Sequence, residues 1–437
     1  MDILNDPAFV VPQPPPAPRG IAWLRSHVAR FSEGADHERR RGIAVRILDA
    51  VPPERLRAPG HPVATVAVAL GLPRHVATDV EIIAAGYQPH DPVTAEADAA
   101  VARLVEFAGG RWDEETAALI GLLVQTCAAT RSAIAGNRPP VPATRRISPA
   151  GQETLVRLDS APFGAGRHAC PGEEHAEALL AGARHFTDLH RGDEPLLLPN
   201  AWDFASAAAL AGQGYPAIGT TSLGVASSHG LPDAAAATRA ETLALARSLV
   251  RLPVPVTVDV EAGFGDDPAE LAVELTVMGV AGINLEDGRG DRLVPISEHA
   301  AQVRAMKAAA PELFVNARVD THWLGIDHAS TLRRASAYID AGADGVFVPG
   351  LRDESRIEDL VAALGSAPLN VLAELPFQRL RDLGVRRIST GSLLFRTAVT
   401  QAVTAVDAYR LGVSAPHARS YADVESLASL GQSEPAG

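Results

Sequence analysis

Eight short apolar runs, each followed by an amphipathic stretch, recur between residues 185 and 412 and restrict the fold more than any other feature. They are LLLPNA (196–201), AIGTT (217–221), PVTVDVE (255–261), AGINLED (281–287), LFVNARVD (313–320), GVFVPG (345–350), LNVLAE (369–374) and RRISTG (386–391). Helical stretches such as TRAETLALARSLVR and STLRRASAYIDAG separate them. Eight strand–helix units in about 225 residues match an α/β fold closed into a (β/α)₈ barrel of the TIM type. The rival architecture, an open doubly wound sheet, usually needs fewer strands.

The whole chain has 437 residues, and a single core rarely grows past ~250–300. Two domains are therefore expected. Residues 1–20 read as a flexible Pro-rich arm, 21–184 as a mostly helical domain, 185–415 as the barrel and 416–437 as a tail. Amphipathic stretches such as TAALIGLLVQTCAATRSAIAG carry the helical reading of the first half.

Composition removes several function classes. A net charge of −13 argues against nucleic acid or an anionic membrane as partner. Lys307 is the only lysine and lies in a helical stretch, which disfavours a P-loop or a Schiff-base aldolase. Two cysteines, Cys127 and Cys170, make no disulfide framework, so a cytoplasmic chain is expected. No uninterrupted apolar run approaches ~20 residues, and the acidic N-terminus has no apolar core, so neither a membrane span nor secretion is indicated.

In a parallel barrel, function gathers where strands end. The third run ends in Asp259-Val260-Glu261, the fourth in Glu286-Asp287, the fifth in Arg318-Val319-Asp320. Alternation along a strand sends Asp259 and Glu261 to one side. Carboxylates crowded on one rim repel, so either their pKa values rise or a cation neutralises them. With hard oxygen donors and no His or Cys, that cation is Mg²⁺ or Mn²⁺. Arg318 offers a fork for a substrate carboxylate or phosphonate. Asp287 and Asp267 read equally well as solvated loop acids or helix caps, His229 as solvated and Trp202 as packing.

The segments LPNAWDFASA, GTTSLGVASSHGLPD, TVDVEAGFGD, GINLED, FVNARVD and AGADGVFVPG resemble the isocitrate lyase / phosphoenolpyruvate mutase superfamily, in motif order and over nearly the whole barrel. The resemblance implies that Asp259 ligates Mg²⁺, with Asp233, Glu261 and Glu286 holding it partly through water. It further implies Arg318 as substrate anchor and backbone amides near Thr221, Ser222 and Leu223 as a carboxylate cradle. The activity implied is carbon–carbon lyase or phosphonomutase chemistry on a small 2-oxo or 2-hydroxy acid through a stabilised enolate. Homo-oligomers, tetramers or dimers, are implied too, with TAVTQAVTAVDAYRLG (397–412) as the embracing helix. Lyases of this group carry a Lys-Arg-Cys-Gly-His-like loop after the fourth strand, and phosphonomutases place Lys and Asn-Ser there. This chain has Gly288-Arg289-Gly290-Asp291-Arg292-Leu293 instead, while Glu261 replaces an Asp and Pro349 a Glu. The substrate and the acid/base are left open.

The loop Pro162-Phe163-Gly164-Ala165-Gly166-Arg167-His168-Ala169-Cys170-Pro171-Gly172 resembles the haem-thiolate loop of cytochrome P-four-fifty monooxygenases. That resemblance implies Cys170 as axial ligand, with His168, His37, Arg41 and Arg145 near the haem propionates. The region is about half the size of that fold and has no room for its Glu-x-x-Arg helix. Two readings follow: a reduced cytochrome-like domain with haem-dependent oxidoreductase activity, or a haem-free scaffold.

Overall fold

The structure, a computed structural model, describes residues 3–431. The chain divides into two compact units, Met1–Arg184 and His185–Gly437. In the first, the helices Gly20–His27, Gly34–Asp49, Pro62–Ala69, Val76–Ala85, Ala95–Phe107 and Glu114–Ile134 enclose Trp23, Leu24, Ile83, Leu104, Ile120 and Leu123. Two helices begin where the sequence supplies a cap. Thr94 accepts from the Ala97 amide and Asp113 from the Thr116 amide, satisfying donors that a first turn leaves open. Glu114–Ile134 is long and apolar enough to cross a membrane by length and composition, yet half of its apolar stretch is buried inside the protein. A hairpin, Ala143–Ile147 with Glu153–Arg157, follows.

One expectation changes here. The arm is tied down by the residues just before its prolines, whose amides can still donate. Val10 makes an antiparallel bridge to Ile147 (3.0 and 2.7 Å), and the Val11 amide donates to Glu33 Oε1 at 2.7 Å. The tail contains a helix, Tyr421–Ser426, opened by a Ser420–Asp423 capping box, and Leu427 beyond it joins the barrel unit's apolar core. Residues 432–437 lie outside the described ones.

The second unit is built on nine parallel segments: β1 (Leu196–Leu198), β2 (Asn200–Ala201), β3 (Ile218–Thr220), β4 (Val256–Asp259), β5 (Gly282–Glu286), β6 (Phe314–Arg318), β7 (Gly345–Phe347), β8 (Leu369–Leu372) and β9 (Arg387–Ser389). Their hydrogen-bonded order is β1-β9-β8-β7-β6-β5-β4-β3-β2. Its two ends are consecutive in the chain, separated only by Pro199, which has no amide hydrogen to continue a ladder. The first half of this stave pairs with β9 and the second with β3, so the sheet comes round on itself as a TIM-type barrel of eight staves.

Strands buried on both faces read as near-continuous apolar runs. Val258, Val260, Ile283, Leu285, Val315, Ala317 and Val319 belong to the unit's apolar core. The intervening positions form a polar layer that the sequence reading did not anticipate. Asn316 donates to Asn284 at 2.9 Å, Arg387 to the same oxygen at 3.1 Å, and Ser389 to Asn370 at 3.1 Å, all buried. Burial pushes the Arg387 guanidinium down to about 9, partly opposed by Asp259. Lys307 is structural: its Nζ donates to the Pro311 and Leu313 carbonyls and to Asp344 at 2.8–2.9 Å.

Candidate active site

Register brings the rim together. Parallel pairing of β5 with β6 sets Arg318 opposite Glu286, and β4 with β5 sets Asp259 opposite Asn284. Arg318 Nη1 pairs with Glu286 Oε1, and its Nε donates to Asp320 Oδ1 at 2.6 Å. The rings of Trp323 and Phe347 each lie 5.7 Å from the guanidinium carbon. All three charged groups are buried. Burial by itself would weaken Arg318 as a base, but Glu286, Asp320 and Asp259 reverse this and hold its proton more tightly.

The acids outnumber that one cation. Asp259 and Glu286 both sit above the ordinary carboxylate range, chiefly through burial. Arg318 opposes the rise at both, and Asp233 adds to it at both; Asp259 and Asp320 add further at Glu286. The Glu286–Arg318 contact should lower Glu286, yet desolvation and three acidic neighbours outweigh it. Among the described residues, no group of three or more His, Cys, Asp or Glu side chains is gathered closely enough to hold a metal ion alone.

Glu261 is not where strand alternation puts it. β4 ends at Asp259, and Glu261 has φ +48°, a left-handed conformation costly for a residue with a Cβ. Its amide donates to Asp259 Oδ1 at 3.1 Å. Both oxygens of its carboxylate are engaged: Oε2 by the Ala236 amide at 2.8 Å and Oε1 by the Thr238 hydroxyl at 2.6 Å. Asp233 lies exposed in that same loop.

Of the three amides expected to cradle a carboxylate, one is already engaged. Thr221 spends its amide on the Ala201 carbonyl at 3.1 Å. Ser222 and Leu223 open the helix Ser222–His229, which has no side-chain cap, so their amides are the ones a first turn leaves for an anion. His229 bonds the Val225 carbonyl at 3.0 Å, and Trp202 packs edge-on against Phe395 at 5.4 Å.

Asp287 is a buried structural acid. It accepts from Tyr338 at 2.7 Å, from Arg334 at 3.0 Å and from the Asp320 amide at 2.8 Å. Sequence reading missed Arg334, Tyr338, Trp323 and Arg289. Arg289 holds the 288–293 hairpin to the Glu286, Gly288 and Ala262 carbonyls.

In the first unit, the residues implied for haem engage the protein itself. Cys170 is exposed, its sulfur accepting from the Gly172 amide at 3.4 Å. His168 bonds Glu33 at 3.2 Å, and its ring lies 4.2 Å from that of His37. Arg41 donates to the Ala169 carbonyl at 2.7 Å, and Arg145 pairs with Glu153 across the hairpin. An exposed sulfur and donors already taken do not fit a haem, which needs a dry pocket.

A parallel barrel with a buried arginine and converging acids at its strand ends defines the second unit as an enzyme scaffold with a charged rim. The phosphoenolpyruvate phosphomutase family matches residues 186–410, and the chain belongs to that family, within the superfamily of phosphoenolpyruvate mutases and isocitrate lyases, whose members are enzymes. An uncharacterized protein of Mycobacterium tuberculosis (strain ATCC 25618 / H37Rv) is 43% identical over 245 residues, covering 55% of this chain and 95% of that protein. The 2-methylisocitrate lyase of Bacillus subtilis (strain 168) is 33% identical over 216 residues, 46% of this chain and 69% of that enzyme. A crystal structure of a lyase/mutase-type protein from Burkholderia cenocepacia J2315 superposes with TM-score 0.52 at 32% identity, over 56% of this chain and 94% of that one.

Proposed function

We propose that the barrel unit is a Mg²⁺-dependent lyase or phosphonomutase-like enzyme acting on a small 2-oxo or 2-hydroxy carboxylic acid through an enolate. The observation that carries this reading is the buried surplus of carboxylates around the Arg318 guanidinium. Asp259, Glu286 and Asp320 face Arg318 with more negative charge than it balances, and hard oxygen donors of this kind suit a small divalent cation. Asp259 and Glu286 would hold it, with Asp233 from the neighbouring loop. Bound there, the ion supplies Lewis-acid polarisation of the substrate's oxo or hydroxyl oxygen.

The chain's own residues do the rest. Arg318 binds the substrate's carboxylate or phosphonate with its remaining Nη2, since Nε and Nη1 are engaged. The Ser222 and Leu223 amides orient a second anionic group. Burial at Arg318 removes competing water and strengthens its contact. The 2-methylisocitrate lyase likeness, and that of an oxaloacetate decarboxylase of Ectopseudomonas mendocina (strain ymp; 33% identical, 39% of this chain, 64% of that enzyme), favour carbon–carbon cleavage. Exposed Val399, Val403, Val406 and Tyr409 on the helix Leu393–Leu411 support assembly into a homo-oligomer.

Turnover of oxaloacetate, 2-methylisocitrate and phosphonopyruvate, with Mg²⁺ and with chelator, tests the proposal. One substrate should be consumed only with the metal, and Asp259→Ala should abolish this. Unchanged Mg²⁺-dependent turnover in that variant would refute the site. For the first unit we propose a haem-free scaffold, because Glu33 and Glu153 occupy the basic groups a propionate would need. A reduced, CO-bound band near ~450 nm in protein expressed with ample haem would overturn that.

A further inference from the structure

We propose that Glu261 is a positioning residue: a buried latch that holds the strained loop 231–238, and Asp233 with it, against the acidic rim. This rests on the enzymatic reading above in what the latch is for, though not in whether it exists. Three observations converge. First, Glu261 is almost fully buried, and both of its carboxylate oxygens are used on one loop, by the Ala236 amide and the Thr238 hydroxyl. Second, the loop is strained. Ala234 and Ala236 have φ +55° and +56°, in the region that favours glycine, and residues 232–237 are exposed. Alanines there have no side chain with which to hold such a backbone, so restraint has to come from outside the loop. Third, Glu261 itself has φ +48°, and its carbonyl accepts from the Glu286 amide at 2.8 Å while its amide donates to Asp259 Oδ1. The latch is thus bonded to both rim acids through its backbone and to the loop through its side chain.

The consequence is a division of labour between two acids two residues apart. Asp259 stays on the strand and faces the rim. Glu261 leaves the strand and sets the distance at which Asp233 adds negative charge to the site. Releasing the latch removes the side-chain bonds that oppose relaxation of the strained segment, and Asp233 moves away from the rim.

Thr238→Val tests this best. It removes the hydroxyl, keeps the shape of a fully buried side chain, and leaves every carboxylate of the rim in place. In the full chain, amide hydrogen exchange over 231–238 should speed up at least ~10-fold in both Thr238→Val and Glu261→Gln, the scale of losing a hydrogen bond to a charged group. Exchange over 256–259 should not change, and Thr238→Ser should restore the protection. Calorimetric titration with Mg²⁺ alone should show Thr238→Val weakening affinity as much as Glu261→Gln does. Unchanged loop exchange in Thr238→Val would overturn the latch. So would a loss of Mg²⁺ affinity confined to Glu261→Gln, which would make Glu261 a ligand. If the wild-type chain bound no Mg²⁺, the metal reading would fall and the exchange result would still decide the latch.

Discussion

Replacing Asp287 by alanine should destabilise the barrel unit by about 4–6 kcal/mol. The size follows from what the carboxylate holds. Arg334 and Asp287 form a buried pair, and removing one partner of such a pair costs ~3–5 kcal/mol because the other charge stays behind without compensation. The Tyr338 hydroxyl and the Asp320 amide lose their acceptor as well, each worth ~1–3 kcal/mol before relaxation. The terms overlap, so the total lies below their sum. Asp287→Asn keeps an oxygen for the Asp320 amide but drops the charge facing Arg334, and should cost about 2–4 kcal/mol. Adding Arg334→Met to Asp287→Ala removes the orphaned cation, so the double variant should be at least ~2 kcal/mol more stable than additivity predicts. Urea unfolding of the full chain, followed by far-ultraviolet circular dichroism, measures all five species: wild type, Asp287→Ala, Asp287→Asn, Arg334→Met and the double variant. A loss below ~1 kcal/mol for Asp287→Ala, or simple additivity in the cycle, would refute the reasoning.

Three further outcomes are expected. Asp259→Asn removes one surplus negative charge while keeping an acceptor for the Glu261 amide; without metal it should stabilise the fold by about 1–2 kcal/mol at pH 8, and by little near pH 3.5, where the carboxyl is protonated in both states. Thermal melts at the two pH values check this, and a marked loss at pH 8 would contradict a charge surplus. His190, stacked on Phe314 at 4.4 Å, is pushed down to about 3, by burial first and then by Arg387. Its unfolded form takes up a proton near pH 6.5, so stability is complete above that pH and falls by up to roughly 4 kcal/mol as pH drops through the window to 3. His190→Phe keeps the ring stack and should flatten the acid limb of a stability–pH curve. Arg318→Lys loses the fork to Glu286 and Asp320, and should lower kcat/KM about 100-fold on whichever acid the screen identifies; an effect below ~5-fold would remove Arg318 as anchor.

Much of this was legible in one dimension. The spacing of apolar runs determined the staves, because a parallel strand buried on both faces must be apolar throughout and a returning helix must follow it. Strand-end position then marked Asp259, Glu286 and Arg318, since residues ending a stave stand on the rim whatever their partners are. Other features depended on partners that sequence distance hides. Asp287 looked like a loop acid until folding brought Arg334 and Tyr338, 47 and 51 residues away, onto its carboxylate. Thr221 looked like a cradle residue until the adjoining stave took its amide. Glu33 meets His168 across 135 residues, which is why a cofactor-like loop gave no sign of its own counter-charge. Glu261 departed from its expected position because alternation holds only while a strand continues. One residue with positive φ turned its side chain away from the rim, and a choice of backbone conformation within an allowed menu is made by the tertiary contacts that offset its cost.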